Sequence, residues 1–249
     1  MICLPHGETN ITLHCQNRCV SCNHFIPIQE PFHADPAGIE RDLNMAAKVM
    51  HFAVYNTVGG EPTLHPQIVD ILGIIRKSGI CDRVEITSNG QNSDRWPDAL
   101  FESIDDLIVT PYKITDAEKQ SIADRCKQHR VHLEWHWVGF TYAAYREPDV
   151  RRGEALYPNC WYAANRNVID DGYFYRCCIG RFIPEVLLGL PREDDAIALE
   201  GLTEDALAAF LRRPTVPAAC NVCGSNNARW LGWQEQPDKT RWLQESLQD

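Results

Sequence analysis

Residues 9–24, TNITLHCQNRCVSCNH, run a β-rich segment straight into Cys15, Cys19 and Cys22. The run TNITLHC reads as a strand ending on Cys15, so the thiols fall on the loop just past its C-terminal end. The same arrangement recurs downstream. PAGIERDLNMAAKVM carries helical periodicity behind a first-turn proline, and HFAVYNTV is a strand stopped by Gly59 and Gly60. HPQIVDILGIIRKSG is a helix with a terminal glycine, and RVEITSNG a strand broken by Asn-Gly. DDLIVTPY, TDAEKQSIADRCKQH with its Thr N-cap, and VHLEWHWVGF read as strand, helix and strand. Strands alternating with helices imply a parallel sheet, doubly wound or barrel-like. Four polar motifs end four successive strands: Cys15–Cys22, Gly59–Pro62, Ser88–Asn89 and Thr110–Lys113. That edge is where α/β sheets and barrels place ligands, so one shared site is expected.

Beyond about residue 140 the pattern changes. NVIDDGYFYRC is a hairpin signal around Asp-Gly, TEDALAAFLRR a short capped helix, and CNVC precedes a tryptophan-rich tail. The expected division is 1–145 for the α/β unit and 146–249 for a small ligand-stapled unit.

The chain of 249 residues holds eleven cysteines. Cys3, Cys81 and Cys126 stand alone and read as small buried residues. The others cluster at 15–22, 160, 177–178 and 220–223. An odd total with CxxC-type spacing favours metal or cluster ligation over disulfides. The net charge of −10 and the lack of a Lys/Arg cluster argue against nucleic acid as a partner. No apolar run could cross a bilayer and MICLPHGETN is no secretory signal, so a cytoplasmic protein with no membrane partner is expected.

Three thiolates on one loop can hold three irons of a [4Fe–4S] cube and leave the fourth iron open. The alternative is a structural zinc with His24 as fourth ligand. CxxxCxxC after the first strand, paired with GGEP after the second, resembles the radical S-adenosylmethionine enzymes. The resemblance implies a partial (β/α) barrel of five or six parallel strands, with S-adenosylmethionine completing the open iron. It implies cofactor contacts from Gly59, Gly60, Glu61 and Pro62, with Glu61 facing the ammonium. TSNG resembles the third-strand signature, adding Ser88 and Asn89, and Thr110 ends the fourth strand. Two positions depart from the family pattern. Ser21 stands where an aromatic residue usually precedes the third cysteine, so Phe25 is expected to substitute. Thr110-Pro111-Tyr112-Lys113 replaces the usual serine–acid pair near the ribose.

The C-terminal cysteines resemble a twitch subdomain, a shortened SPASM appendage built from a β-hairpin and a helix. The resemblance implies a second [4Fe–4S] cluster on Cys160, Cys177, Cys220 and Cys223. Cys178, on the opposite strand face, is the alternative to Cys177, and a zinc ribbon the alternative to the cluster.

The resemblance implies a 5′-deoxyadenosyl radical that abstracts hydrogen from a small polar substrate, expected to be a sugar or aminocyclitol alcohol. The auxiliary cluster would accept the substrate electron, and a flavodoxin or ferredoxin would supply the initiating one. Strand alternation puts His132, Glu134 and His136 on one face and Leu133, Trp135 and Trp137 on the other, making His136 the candidate base. Arg146, with Arg151 and Arg152, could hold a sugar hydroxyl or phosphate. An epimerase would instead need a hydrogen donor, and Cys178 is the spare thiol. Peptide modification is a further enzymatic reading; such members often carry a leader-binding domain, and few residues precede the first strand here. An iron–sulfur or zinc structural or sensor protein is the non-enzymatic reading, one with no use for GGEP.

Overall fold

The computed structural model describes residues 1–136, 139–141, 148–191, 195–224, 230–236 and 238–246. β1 (Ile2–Thr12) starts seven residues ahead of the expected strand, then becomes buried without interruption from Gly7 onward. Unbroken burial marks a strand covered on both faces. β2 (Met50–Gly59), β3 (Cys81–Ser88), β4 (Asp106–Val109) and β5 (His132–Trp135) follow it in parallel register. The intervening helices are α1 (Pro36–Ala46), α2 (Ile68–Ser78), α3 (Asp98–Glu102) and α4 (Asp116–His129). Their starts follow the local chemistry. The Asp35 side chain accepts from Ala37 N ahead of Pro36, and Thr115 with Glu118 forms a reciprocal capping box.

β6 (Gly139–Thr141) and β10 (Trp230–Gly232) form a separate antiparallel pair. α5 (Val150–Leu156) and α6 (Trp161–Asn165) lead into the hairpin of β7 (Asn167–Asp170) and β8 (Tyr173–Tyr175). Asp171 at φ 49° and Gly172 at φ 82° make the tight turn the sequence signals. β9 (Ala196–Ala198), α7 (Glu204–Arg212) and α8 (Lys239–Ser246) complete the described elements.

The main sheet runs β5-β4-β3-β2-β1-β7-β8-β9, and β7 lies parallel to β1 through Gly7↔Asn167 and Glu8↔Val168. Six parallel strands, open at the edges and packed with helices, form the partial barrel expected. The hairpin thus extends this sheet along β1. One apolar core, including Leu43, Phe52, Ile71, Ile86 and Leu107, lies between the sheet and its helices. A second core, with Phe25, Tyr175, Phe182 and Trp242, lies beneath the cysteine segments.

β5 ends at Trp135, short of the expected residue 140, with residues 137–138 outside the described set. Leu133 packs against the main core, but Trp135 is 36% exposed. As the sheet's edge strand, β5 finds a neighbour on one side only. Among the described residues, no helix is long and apolar enough to cross a membrane.

Candidate functional site

The C-terminal ends of β1–β5 open onto a cavity of about 460 Å³. Cys15, Cys19 and Cys22 reach it from the loop after β1, Gly59, Gly60 and Glu61 from the end of β2, and Ser88 and Asn89 from the end of β3. Thr110 and Tyr112 follow β4, and His136 follows β5. Trp161, Tyr162 and Arg166 from the α6 region, with Cys178 and Ile179 past β8, close the opposite wall. The four strand-end motifs therefore meet, as their positions in the sequence imply.

Close approach explains the two glycines. A Cβ on Gly59 would lie 2.2 Å from the Thr12 carbonyl oxygen, and one on Gly60 2.1 Å from that of His14. Gly59 also sits at φ +123°. In that space Gly60 N donates to Thr12 O at 2.7 Å and Glu61 N to His14 O at 2.8 Å. The glycine loop thereby docks onto the strand end that carries the cysteines.

Glu61 ties this loop to the next. Its Oε1 accepts from Thr63 N (3.2 Å), Thr63 Oγ1 (2.7 Å) and Ser88 Oγ (2.7 Å), and its Oε2 from Asn89 N (2.7 Å). Burial pushes the Glu61 carboxyl up, and these bonds oppose the shift. Four protein donors engage the carboxylate expected to face an ammonium, so its first task is to join GGEP to TSNG. Asn89 extends the tie, with Nδ2 4.0 Å from Cys15 Sγ.

The three thiols are partly or fully enclosed. Burial pushes Cys15 and Cys19 up to about 12 and raises Cys22, and repulsion from neighbouring thiolates raises Cys15 and Cys19 further. Such a set is protonated near neutral pH unless a cation displaces the protons. The thiols approach one another without closing on a point. Among the described residues, no three His, Cys, Asp or Glu side chains are placed to hold a single metal ion. Asn17 Nδ2, His24 Nε2 and Asn56 Oδ1 are buried, belong to residues lining the cavity, and have no hydrogen-bond partner in the protein. Unsatisfied buried polar atoms around a concave, thiol-lined space fit a polar occupant. This donor set fits an iron–sulfur cluster with a polar ligand beside it.

Cys160, Cys177, Cys220 and Cys223 line a second, smaller cavity, with Tyr162 and Ile179 common to both walls. Burial drives Cys220 well above its ordinary range, with further repulsion from Cys177, Cys223 and Cys160. The adjacent cysteines part company: Cys177 lines the smaller cavity and Cys178 the central one. A hydrogen bond from the Cys178 thiol lowers Cys177 and raises Cys178.

Two expected cofactor contacts are placed elsewhere. Phe25 is fully buried, 5.8 Å from Trp242 and 6.4 Å from Phe182 between ring centroids, and does not line the cavity. The aromatic ring that does line the cysteine-loop side is Tyr112, outside the expected site set. Pro62 opens a short 3₁₀ turn behind the glycine loop and also stays out of the cavity. His136 lies at the rim with its side chain 44% exposed, its Nε2 3.0 Å from Glu134 Oε1. Arg146 falls outside the described residues. Arg151 is exposed, and Arg152 donates to Asn221 O at 3.2 Å; neither lines the cavity.

Glu8 is the charged residue that the sequence concealed. It sits on the doubly covered half of β1, only 4% exposed, and lines the central cavity. Burial pushes its carboxyl up to about 7, and the Arg166 guanidinium acts the other way. Arg166 is held in turn by His6, Nη1 to Nε2 at 2.6 Å.

No family model and no curated protein matches the chain by sequence. Among solved structures, it is similar to BtrN in complex with AdoMet and 2-DOIA, at TM-score 0.54 and 14% identity over 89% of this chain and 93% of that one. Native anSMEcpe with bound AdoMet matches at TM-score 0.53 and 12% identity, over 82% of this chain and 80% of that one. The likeness is one of fold. It extends across both the parallel sheet and the C-terminal half.

Proposed function

We propose that the chain is a radical S-adenosylmethionine enzyme that oxidises an alcohol carbon of a small polar substrate, a sugar or aminocyclitol. The observation that carries this reading is the convergence of CxxxCxxC, GGE and SN on one cavity with a polar floor. The fold shared with two AdoMet-bound structures supports it. With an iron–sulfur cluster on Cys15, Cys19 and Cys22, electron transfer to S-adenosylmethionine supplies the hydrogen-abstracting radical. The protein's residues then do the orienting. Gly59, Gly60 and Asn89 shape the cofactor end, while Trp161 and Tyr162 give the mouth an aromatic wall on which a ring with axial C–H bonds can rest.

An alcohol oxidation removes a hydrogen atom from carbon, a proton from oxygen and one further electron. Glu8, buried at the cavity floor beside Arg166, is better placed than rim-bound His136 to take the proton. The quartet Cys160, Cys177, Cys220 and Cys223 offers four thiolates for a second cluster, and the wall that Tyr162 and Ile179 share between the two cavities supports an electron acceptor there. A specific observation keeps epimerisation as the second reading: Cys178 lines the substrate cavity, where its S–H could return a hydrogen atom to the substrate radical.

Anaerobic reconstitution tests the proposal. Two clusters should form, and replacing Cys15, Cys19 and Cys22 together with alanine should halve the iron. Reduced protein should cleave S-adenosylmethionine to 5′-deoxyadenosine and methionine. Stoichiometric zinc in place of iron would overturn the reading.

A further inference from the structure

The segment carrying β10 and α8 lies across the first cysteine loop, more than two hundred residues away in sequence. Val20 N donates to Gln234 O at 3.0 Å and Gln236 N to Arg18 O at 2.9 Å, so Cys19 and Glu235 face each other as an antiparallel bridge. Two indoles finish the contact. Trp242, fully buried, donates from Nε1 to Cys19 O at 2.7 Å. Trp233 donates from Nε1 to Cys19 Sγ at 3.2 Å. Trp233 also stacks on Tyr112 at 5.4 Å between centroids, and Lys113, over the same indole, pairs with Glu235 at 2.6 Å. The tail therefore joins the loop after β1 to the loop after β4, two strand ends separated in the sheet by β2 and β3.

We propose that Trp233 is a positioning residue for the first cluster, holding the Cys19 sulfur through its indole N–H while the tail clasps the loop and shields it from water. The proposal rests on the reading of Cys15, Cys19 and Cys22 as cluster ligands. Hydrogen bonds to ligand sulfurs and solvent exposure are two of the levers that set an iron–sulfur potential. An N–H aimed at a thiolate favours the more negative, reduced state, because a donor stabilises added negative charge. Among the described residues, the tail's hydrogen bonds to the three cysteines fall on Cys19, so the effect is local to it.

Two variants separate the parts. Trp233→Phe keeps a ring against Tyr112 and removes the N–H; Trp233→Ala removes the ring as well. In reconstituted protein, W233F should keep its iron and shift the midpoint potential of the first cluster to more negative values, read by EPR-monitored titration. In metal-free protein, W233A should raise amide hydrogen exchange at Val20 at least about tenfold, since the clasp's backbone bonds open more readily once one of its two indole anchors is lost. A W233F potential equal to wild type at equal iron content would overturn the tuning role. A Val20 amide that exchanges equally fast in wild type and W233A would overturn the clasp. A protein that takes up no iron would instead overturn the cluster reading, while the exchange experiment still decides the clasp.

Discussion

Replacing Glu61 by glutamine isolates what its carboxylate does for the fold. Four donors point at its two oxygens: three at Oε1 and the Asn89 N–H at Oε2. The best amide orientation leaves the carbonyl oxygen facing Thr63 and Ser88. It then sets the NH₂ against the Asn89 N–H, donor against donor. A hydrogen bond to a charged group is worth about 1.5–3 kcal/mol, and a buried donor left unsatisfied costs about 1–3 kcal/mol. Removing the charge also relieves the burial penalty that pushes the Glu61 carboxyl up, which offsets part of the loss. The net expectation is a loss of about 2–4 kcal/mol, a large share of the roughly 5–15 kcal/mol typical of a domain. Urea unfolding of metal-free protein reads it directly. At a slope near 3 kcal/mol/M, a loss of 3 kcal/mol lowers the midpoint by about 1 M. Ser88→Ala in a double-mutant cycle should show a coupling of about 0.5–3 kcal/mol with Glu61. A loss under about 1 kcal/mol with no coupling to Ser88 would refute the tie, and would return the carboxylate to a purely cofactor-facing role.

Three further expectations follow from the same geometry. Glu8, pushed up to about 7 by burial from 4.5, binds its proton more tightly folded than unfolded; its own contribution to stability, about 3 kcal/mol, is fully present below pH 4.5 and is lost as pH rises through 7. Glu8→Gln should flatten that decline relative to wild type in metal-free protein, and parallel pH profiles would remove the effect. Gly60→Ala should destabilise the apo-protein by more than about 2 kcal/mol and displace the cysteine loop, because the new methyl meets the His14 carbonyl rather than a movable side chain; an unchanged unfolding midpoint counts against the docking of the two loops. Cys178→Ala should leave the iron content and ketone formation intact; loss of turnover with both clusters assembled, and solvent deuterium at the product carbon, would move the assignment to epimerisation.

The parts of the site legible in the sequence are those that end strands. Cys15–Cys22, Gly59–Glu61, Ser88–Asn89 and Thr110 each follow a β-rich run, and parallel strands deliver such loops to one edge. Alternation could say that Cys177 and Cys178 face opposite ways, but not which cavity either would meet. That depended on β7 joining the sheet beside β1, a pairing across some 160 residues. Glu8 was hidden for the same reason. In the run HGETN it resembles any outward polar residue, and only cover on both faces of β1 makes it a buried acid. Phe25 misled because it lies near the third cysteine in sequence, whereas the second core claims its ring. Trp233 could not be paired with Cys19 from sequence because nothing local links residues so far apart.

The position of β7 connects the two cavities mechanistically. By pairing with the buried half of β1 it sets Val168 beside Glu8, and the chain leaving β8 then turns so that successive residues line different spaces. Cys177 meets the four-thiol cavity, Cys178 the central one, and Ile179 the wall between them. One strand pairing therefore places an acid and a thiol on the central cavity, Glu8 and Cys178, and the proposed cluster ligand Cys177 on the cavity beside it. Under the oxidation reading, Glu8 would take the proton, and the Tyr162–Ile179 wall would separate the substrate from the four thiols proposed to hold the electron acceptor. Under the epimerisation reading, the Cys178 thiol intercepts the substrate radical before that electron leaves. The same fold can serve either outcome, and the balance turns on how close the reacting carbon lies to Cys178 or to the shared wall. A substrate seated deep against Glu8 and Arg166 would present its hydroxyl to the Glu8 carboxylate, the form that accepts a proton. That arrangement favours loss of the proton and electron together, which is why oxidation stands first.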